Sequence, residues 1–281
     1  MKTAIIWGTG QGGKMLRRLL STDVDVVAYC DNNVKLQGKA VDGLPVINPG
    51  QLFLKNPDRI YIAIINKEQS LKVKVQIEKL GIAAEIIPIN AYREIFDLRL
   101  ANLRWIAEEI YEQNTRGAVA ELGVYQGDFA TEINRLFPDR KIYLFDTFSG
   151  FDERDINIEK ENMLSCAEAG RYNNTSVTRV LARLPYPGQA VFKAGYFPDT
   201  ARGLEENFAL VSLDADLYQP LFEGLKYFYP RVNIGGYIII HDYNSSQYSG
   251  VKKAIRDFCR ENRLFVVPIC DLHGSAIIIK Q

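Results

Sequence analysis

Residues 117–137, "GAVAELGVYQGDFATEINRLF", contain a strand, a glycine turn and a helix in that order. The first part is almost continuously apolar, which is typical of a parallel strand that is buried on both faces. Asp128 marks the start of the helix, because a short acidic side chain favours a helix N-terminus. A strand that passes into a helix through such a turn predicts an open α/β sheet.

The same alternation continues toward the C-terminus. Apolar runs predict four further strands: "KIYLFD" (141–146), "QAVFKAG" (189–195), "FALVSLDAD" (208–216) and "GGYIIIHD" (235–242). The stretches 221–232 and 249–262 predict helices. The runs "LFVVPI" and "SAIIIK" predict two terminal strands that close the sheet as a hairpin, with His273 in its turn.

A separate alternation precedes residue 117. The runs "TAIIWG", "VDVVAYCD", "RIYIAII" and "AAEIIPI" predict four strands of a parallel sheet, and the Gly-, Pro- and Asn-rich stretch 32–52 predicts a loop. Residues 91–114 have helical spacing of apolar residues and predict one long helix. The fold class is therefore α/β with two open doubly wound sheets. We predict a Rossmann-like domain at 1–92, a linker helix at 93–116 and a second domain at 117–281.

Composition excludes several functional classes. Lys plus Arg and Asp plus Glu are both 34 among 281 residues, so no basic excess favours nucleic acid or an anionic membrane. No apolar run is long enough for a membrane span, and the N-terminus lacks a signal-peptide pattern. The four cysteines have no C-x-x-C spacing. These features predict a soluble, cytoplasmic protein with reduced thiols, and the helix at 91–114 could serve as a homo-oligomer interface.

The first glycine turn, Gly8-Thr-Gly10-Gln-Gly-Gly13, has the G-x-G-x-x-G pattern between a strand and a helix. Such a turn lets a phosphate approach the helix N-terminus, and Asp31 ends the next strand, where an acid can accept hydrogen bonds from a ribose diol. The pattern predicts a nucleotide or NAD site at Gly8, Gly10, Gly13 and Asp31. A ligand-free turn that merely packs a helix on a sheet is an equal alternative.

The second turn has a different pattern, with Glu121, Gly123 and Gly127 in an E-x-G-x-x-x-G. The wider spacing suits a ligand without a pyrophosphate, with Glu121 serving an ammonium group. Asp146 ends the following strand and can bind two ribose hydroxyls. These features favour S-adenosylmethionine. The alternative is a pair of packing glycines and a strand-end cap.

Four ordered blocks then resemble one family. They are "AVAELGVYQGDFATEIN", "IYLFDTFSGF", "AGYFPDT" and "VSLDADLYQPLFEGLKYFYPRVNIGGYIIIHDY", and together they resemble the macrocin O-methyltransferase family over about 117–281. The resemblance implies a class I methyltransferase fold, S-adenosylmethionine as cofactor, generally Mg²⁺, and methylation of hydroxyls on deoxysugars and related glycosides. The N-terminal part is similar to small Rossmann-like domains of sugar-modifying proteins.

The resemblance also implies a set of site residues. The cofactor residues are Glu121, Gly123, Tyr125, Gly127, Asp146, Thr147, Gly195, Tyr196 and Asp214, with Gly195 and Tyr196 at the adenine. It implies Asp214 as a catalytic residue and Asp214, Asp216 and Asp242 as metal ligands. His241 departs from the family, and the chemistry of histidine predicts it as a further catalytic residue and metal ligand.

The family has an Asp-Asp pair where this chain has His241-Asp242, which leaves the metal open. The three aspartates could bind Mg²⁺ with His241 as base or orienting group. The site could instead prefer a softer ion, since histidine suits Mn²⁺, Fe²⁺ or Zn²⁺ better. It could also be metal-free, with His241 carrying the proton. Acids that only cap strand ends are the structural alternative.

Two further functions remain open at this stage. The chain could be a catalytically silent nucleotide- or cofactor-binding protein of a glycan pathway. Tyr248 and Lys252 also form a Y-x-x-x-K, the catalytic pair of short-chain dehydrogenases, which would suggest a nucleotide-sugar oxidoreductase. The polar stretch 152–174 predicts a lid or excursion that contributes the acceptor surface, but no motif there identifies the substrate.

Overall fold

The computed structural model describes residues 1–93, 95–272 and 274–281, so His273 lies outside the described residues. The chain divides into two compact units. Unit 1 contains Met1–Leu98 and a short segment that begins at Cys270, and unit 2 contains Arg99–Ile269 and Gly274–Gln281. Most of the predicted linker helix therefore belongs to unit 2.

Unit 1 is a six-stranded sheet with helices on it. Its strands are β1 (Lys2–Trp7), β2 (Val24–Cys30), β3 (Ala40–Val41), β4 (Leu44–Ile47), β5 (Arg59–Ile62) and β6 (Glu85–Pro88). Its helices are α1 (Gln11–Leu19), α2 (Leu52–Lys55), α3 (Lys67–Lys79) and α4 (Ile89–Arg93). The strand order is β3-β4-β2-β1-β5-β6, and β3, antiparallel to β4, is the exception to parallel pairing.

The prediction of a loop over 32–52 was wrong in part, because β3 and β4 lie within it and α2 begins at its last residue. Val46 and Ile47 pair with Tyr29 and Cys30 of β2 and are buried. Flanking Gly, Pro and Asn residues dominate the local composition, but burial of this short apolar pair against the sheet determines the conformation.

Unit 2 is a seven-stranded sheet. Its strands are β7 (Ala118–Leu122), β8 (Ile142–Asp146), β9 (Ala190–Ala194), β10 (Phe208–Leu213), β11 (Val232–Ile240), β12 (Val267–Pro268) and β13 (Ala276–Ile279). Its helices are α5 (Leu98–Glu112), α6 (Asp128–Leu136), α7 (Glu153–Glu161), α8 (Val177–Leu181), α9 (Tyr218–Phe228) and α10 (Ser249–Asn262). The strand order is β12-β13-β11-β10-β7-β8-β9, with β12 and β13 antiparallel to their neighbours and the others parallel.

The chain reverses direction across the sheet between β7 and β10. From β7 it continues to β8 and β9 on one side, and it then returns to β10 and β11 on the other. Open α/β sheets bind ligands at such a switch point, outside the carboxyl ends of the strands. The predicted fold class, two α/β sheets with helices, is confirmed.

The long helix predicted over 91–114 is instead two helices, α4 and α5. Leu103, Ala107 and Ile110 of α5 are buried against the sheet of unit 2, which explains their helical spacing. Phe96, which was counted in the same apolar stripe, lies before α5 and is exposed. The spacing of apolar residues alone therefore did not distinguish two neighbouring helices from one long helix.

Two predictions about the chain as a whole concern cysteines and membranes. Cys30, Cys166, Cys259 and Cys270 are all free thiols. Among the described residues, no helix combines the length and the apolar composition that crossing a bilayer requires.

Candidate active site

A cavity opens at the carboxyl ends of β7, β8, β9 and β10 in unit 2. Most of the predicted cofactor residues line it: Gly123, Tyr125, Asp146, Thr147, Gly195, Tyr196 and Asp214. Glu121 and Gly127 do not line it, and Gly127 lies at the N-terminus of α6 with φ +80°. The strand ends therefore bring together residues that are up to about 90 positions apart in the sequence.

Gly123 allows β7 and β10 to meet closely below this cavity. Its φ is +87°, and a Cβ atom at this position would lie closer than 3.0 Å to the backbone of Asp214. Only glycine satisfies both conditions without strain. The close approach of the two strand ends therefore requires glycine at this position, whether or not a ligand binds there.

Asp146 fixes the second glycine turn. Its Oδ2 accepts hydrogen bonds from the backbone N–H groups of Val124 and Tyr125, both at 2.8 Å. Its Oδ1 accepts from the N–H of Phe148 at 2.7 Å. The carboxylate that was predicted to bind ribose therefore already holds the turn in place, and a diol would share its remaining acceptor sites.

Glu121, on β7, does not line the cavity and is 1% exposed. Its Oε1 accepts from Ser212 Oγ at 3.3 Å, and its Oε2 has no hydrogen-bond partner among the described residues. Burial raises the pKa of Glu121 to about 8. A role in binding an ammonium group stays a prediction, but this position favours a buried, largely protonated carboxyl group instead.

The polar residues at the ends of β10 and β11 bring three side chains together. His241 Nδ1 lies 2.9 Å from Asp214 Oδ1 and 3.1 Å from Asp242 Oδ2. The backbone N–H of His241 donates to Leu213, which places the two strand ends at the same level. Donor atoms of Asp214, His241 and Asp242 all lie within 4.8 Å of one another.

Arg99, at the start of α5, completes this cluster. Its guanidinium donates to Asp214 Oδ2 at 3.0 Å, and its carbon Cζ lies 3.8 Å from the ring centroid of Phe129. The side chain of Arg99 is 13% exposed. Oδ2 of Asp214 therefore faces Arg99, and Oδ1 faces His241. The sequence had not indicated Arg99 as a residue of the site.

The cluster shifts the protonation of its members. Burial alone would raise the pKa of Asp214, but the charges of His241 and Arg99 lower it well below its usual range. Burial would lower the pKa of His241, but the charge of Asp214 and the contacts with Asp214 and Asp242 raise it well above its usual range. Burial and the charges of Asp214 and Asp242 raise the pKa of Asp216.

Asp216 and Asp242 also have unusual backbone conformations. Their φ values are +60° and +56°, in the left-handed region, and Tyr125 in the glycine turn has φ +49°. Such conformations cost on the order of 1–3 kcal/mol each and cluster at functional sites. The strand ends that carry these residues are therefore held by the surrounding fold in positions that chain preference alone would not select.

The donor set fits a divalent cation. Adjacent ligands of an octahedral ion with bonds of about 2.1 Å lie about 3.0 Å apart. The separations of 2.9 and 3.1 Å between His241 Nδ1 and the two carboxylates match that spacing. A histidine and two carboxylates suit Mn²⁺, Fe²⁺ or Zn²⁺ better than Mg²⁺. Asp216 is outside this three-residue donor set.

Comparison with known proteins connects this geometry to a family. A family model described as macrocin-O-methyltransferase (TylF) matches residues 48–280, which is more than half of the chain. The chain belongs to the macrocin-O-methyltransferase family. The match extends further upstream than the sequence resemblance that begins near residue 117. A second model, described as C2185-like N-terminal, matches residues 1–87.

Individual relatives of this macrocin-O-methyltransferase family member are distant. The chain is 27% identical over 172 residues to demethyldecarbamoylnovobiocin O-methyltransferase of Streptomyces niveus, covering 56% of this chain and 64% of that protein. It is 30% identical over 182 residues to mycinamicin III 3''-O-methyltransferase of Micromonospora griseorubida, covering 59% of this chain and 71% of that protein. The solved O-methyltransferase NovP superposes with TM-score 0.54 at 22% identity, covering 65% and 79% of the two chains, and supports the fold.

The residues predicted to bind a nucleotide lie in unit 1 of this family member. In unit 1, Asp31 Oδ2 accepts from the backbone N–H and the hydroxyl of Thr9, as Asp146 does from its own turn. Gly13 packs against the carbonyl of Gly8, whereas Gly10 has open space where a Cβ atom would be. The turn could accept a phosphate at Gly10, but nucleotide binding stays a prediction.

Tyr248 and Lys252, the two residues of the dehydrogenase pattern, each contact another residue in this structure. Tyr248 is buried, and its hydroxyl lies 3.3 Å from the hydroxyl of Tyr172. Lys252 Nζ donates to Asn244 Oδ1 at 2.7 Å. Membership of the macrocin-O-methyltransferase family, together with these separate partners, argues against the oxidoreductase alternative.

Proposed function

We propose that the chain transfers a methyl group from S-adenosylmethionine to a hydroxyl of a sugar or glycoside, in the cavity of unit 2. The observation that carries this proposal is the cluster of Asp214, His241 and Asp242 at one edge of a cavity built on the β7 glycine turn. The relatives named above are O-methyltransferases according to their names. Another relative, of Streptomyces olivaceus, is named as a 4'-O-methyltransferase of a compound with a rhamnosyl group, which supports the acceptor class.

The charge of the cavity favours a cationic cofactor. Five carboxylates line it, at Asp146, Asp152, Asp155, Asp214 and Asp216, and Arg171 is the one cation among the described lining residues. A sulfonium and an ammonium group both gain from such surroundings. The Gly123 turn can accommodate the amino-acid part, and Asp146 lies where the ribose would pass.

The reaction forms one bond and breaks one. The acceptor oxygen attacks the methyl carbon in line, the carbon–sulfur bond breaks with its electron pair going to sulfur, and the acceptor loses its proton. The products are the methyl ether and neutral S-adenosylhomocysteine. Alignment of the two reactants supplies most of the rate enhancement in such a transfer.

Asp216 is better placed than His241 to take the proton. Asp216 lines the cavity, whereas His241 does not and is held between two carboxylates that keep its proton bound. A general base works best with a pKa near the working pH, and the pKa of Asp216 is raised from the usual acid range. The positive charge of a bound sulfonium favours the ionised form of Asp216 before transfer.

A divalent ion would be held by Asp214, His241 and Asp242, and its binding would displace the proton that the two carboxylates keep on His241. When bound, it would lower the pKa of an acceptor hydroxyl and compensate the carboxylates. Arg99 already neutralises part of the charge of Asp214, so the chain's own residues position the site whether or not an ion is bound. Metal assistance is therefore part of the proposal and needs its own test.

The test is formation of S-adenosylhomocysteine, measured by mass spectrometry, with a panel of deoxysugar glycosides and nucleotide-linked sugars as acceptors. Metal-stripped protein is assayed alone and after addition of Mg²⁺, Mn²⁺ or Zn²⁺. We expect transfer to at least one acceptor. Absence of any S-adenosylmethionine binding in a thermal-shift assay would refute the methyltransferase proposal and favour a catalytically silent protein.

Unit 1 is proposed to bind a nucleotide or NAD at the Gly8–Gly13 turn. The open space at Gly10 supports this proposal, as does the position of Asp31 at the end of β2. A thermal-shift comparison of NAD, nucleotides and nucleotide sugars tests it. No shift with any of them would leave the turn as a packing element only.

A further inference from the structure

Helix α7, within the predicted excursion, lies along the cavity and is anchored at both ends. At its start, Arg154 Nη1 lies 3.7 Å from Asp199 Oδ2, and its carbon Cζ lies 3.4 Å from the centroid of the Tyr196 ring. Near its end, Glu159 accepts from the backbone N–H of Tyr218, the first residue of α9, at 2.8 Å. Glu159 is 1% exposed. The helix is therefore a fixed wall, and the residues it turns toward the cavity are held in place.

Asp155 is the most buried carboxylate that this wall contributes to the cavity. It lines the cavity and is 5% exposed. Its Oδ1 accepts from the hydroxyl of Tyr196 at 2.8 Å, and Arg154 lies 3.4 Å from the centroid of the Tyr196 ring. Its Oδ2 has no hydrogen bond from any described residue. An oxygen of a cavity-lining carboxylate that no residue of the chain occupies is available to a hydrogen-bond donor on a ligand.

Burial raises the pKa of Asp155 to about 6, while the hydrogen bond from Tyr196 acts in the opposite direction. At a pH of about 7.5 the carboxyl group is therefore mainly ionised and can only accept hydrogen bonds. A ligand atom that meets Oδ2 must be a donor.

The order of the strands indicates which ligand atom that is. Strands β10, β7, β8 and β9 are consecutive in the sheet, so the ends of β10 and β9 lie about 14 Å apart at about 4.8 Å per strand. That span suits an extended S-adenosylmethionine with its sulfonium near Asp214 and Asp216. Its ribose then lies near Asp146 after β8, and its adenine near Tyr196 after β9. Asp155 bonds to Tyr196 and so lies at the adenine end.

We propose that Asp155 binds the exocyclic amine of the cofactor's adenine and makes the site selective for a 6-amino purine. The inference rests on the proposed function, because it requires S-adenosylmethionine in this cavity. The amine donates to Oδ2, while Tyr196 holds Oδ1 and thereby orients the carboxylate. The excursion thus supplies a cofactor-selecting residue at one end, while Arg171 and Tyr172 line another part of the same cavity.

The test uses two ligands that differ at one position. S-Adenosylhomocysteine and S-inosylhomocysteine are titrated calorimetrically into the full-length protein, and the inosine analogue presents a carbonyl oxygen where adenine has its amine. Wild-type protein should bind the adenine ligand about 10- to 100-fold more tightly, the range for a lost hydrogen bond to a charged group. Asp155→Asn, whose amide can donate to the carbonyl, should reduce that preference to less than about threefold.

Two control variants separate this role from a structural one. Tyr196→Phe removes the hydroxyl that orients Asp155 and should narrow the preference without abolishing it. Glu159→Gln changes a buried carboxylate of the same helix that does not line the cavity, so it should lower the melting temperature without altering the preference.

The binding of the two ligands by wild type and Asp155→Asn tests the inference and the proposed function separately. Equal binding of the two ligands by wild type, or an unchanged preference in Asp155→Asn, overturns the inference and leaves the proposed function intact. An equal loss of both ligands in Asp155→Asn also overturns it, because the contact would then be to the ribose or the amino-acid part, which the two ligands share. Failure of wild type to bind S-adenosylhomocysteine refutes the proposed function and the inference together.

Discussion

Glu121→Gln distinguishes a buried structural carboxyl group from a cofactor ligand. Glu121 is 1% exposed, and its pKa is raised by burial from 4.5 to about 8. The folded chain therefore binds the Glu121 proton more tightly than the unfolded chain does. Stability from this group is fully present below pH 4.5 and is lost as the pH rises toward 8. Glutamine has nearly the same shape and does not titrate.

The size of the effect follows from the pKa difference. Each pH unit between the two pKa values costs the wild type about 1.4 kcal/mol of unfolding free energy, so the accumulated loss at pH 7 is about 3 kcal/mol. Glutamine avoids this loss but introduces a buried amide without a partner, which costs about 1–3 kcal/mol at every pH. The slope of the stability difference with pH is therefore the informative quantity.

Urea denaturation at several pH values from about 5.5 to about 7.5 measures that slope. Hydrogen exchange of peptides from β7 and β10 assigns the transition to unit 2, since a chain with two units need not unfold in one step. We expect the variant to gain on wild type by about 1.4 kcal/mol per pH unit, with unchanged affinity for S-adenosylmethionine. Parallel stability curves would show that Glu121 is ionised in the fold. A tenfold loss of affinity would restore its role as a cofactor ligand.

Three other variants test the site. Asp216→Asn should lower turnover by about 100-fold or more, with S-adenosylmethionine affinity within about threefold of wild type by calorimetry; retained turnover would exclude the base role. His241→Asp restores the acid pair of the family and should lower the ratio of Mn²⁺ to Mg²⁺ affinity measured by calorimetry. An unchanged ratio would contradict the assignment of His241 as a ligand. Gly123→Ala should destabilise unit 2 by about 2–4 kcal/mol, because a Cβ atom would press on Asp214 in a left-handed conformation; an unchanged melting temperature would refute this account of the turn.

The sequence predicted those parts of the site that lie at strand ends. Nearly continuous apolar runs, typical of strands buried on both faces, located β7, β8, β10 and β11. Parallel strands place their carboxyl ends at one edge of the sheet. Asp214 and Asp242 could therefore be grouped before any coordinates were known. The strand order, which sets the distances between these ends, required tertiary pairing that no local pattern contains.

Residues outside the strand ends could not be predicted in this way. Arg99 is on a helix whose apolar spacing drew attention to its buried face, and nothing local indicates that its guanidinium reaches Asp214. Asp155 lies in a polar stretch without a motif, and its role depends on how α7 packs along the cavity. The glycine pattern suggested that Glu121 binds the cofactor. Its side chain is buried and does not line the cavity, which depends on packing across the sheet.

Titration of S-adenosylmethionine into the full-length protein tests the central claim most directly. We expect saturable binding of one cofactor molecule per chain and competition by S-adenosylhomocysteine. Asp146→Asn should bind the cofactor more weakly, because its amide would disrupt the N–H contacts that hold the Gly123 turn. No detectable binding to the wild-type chain, with or without a divalent ion, would contradict the claim.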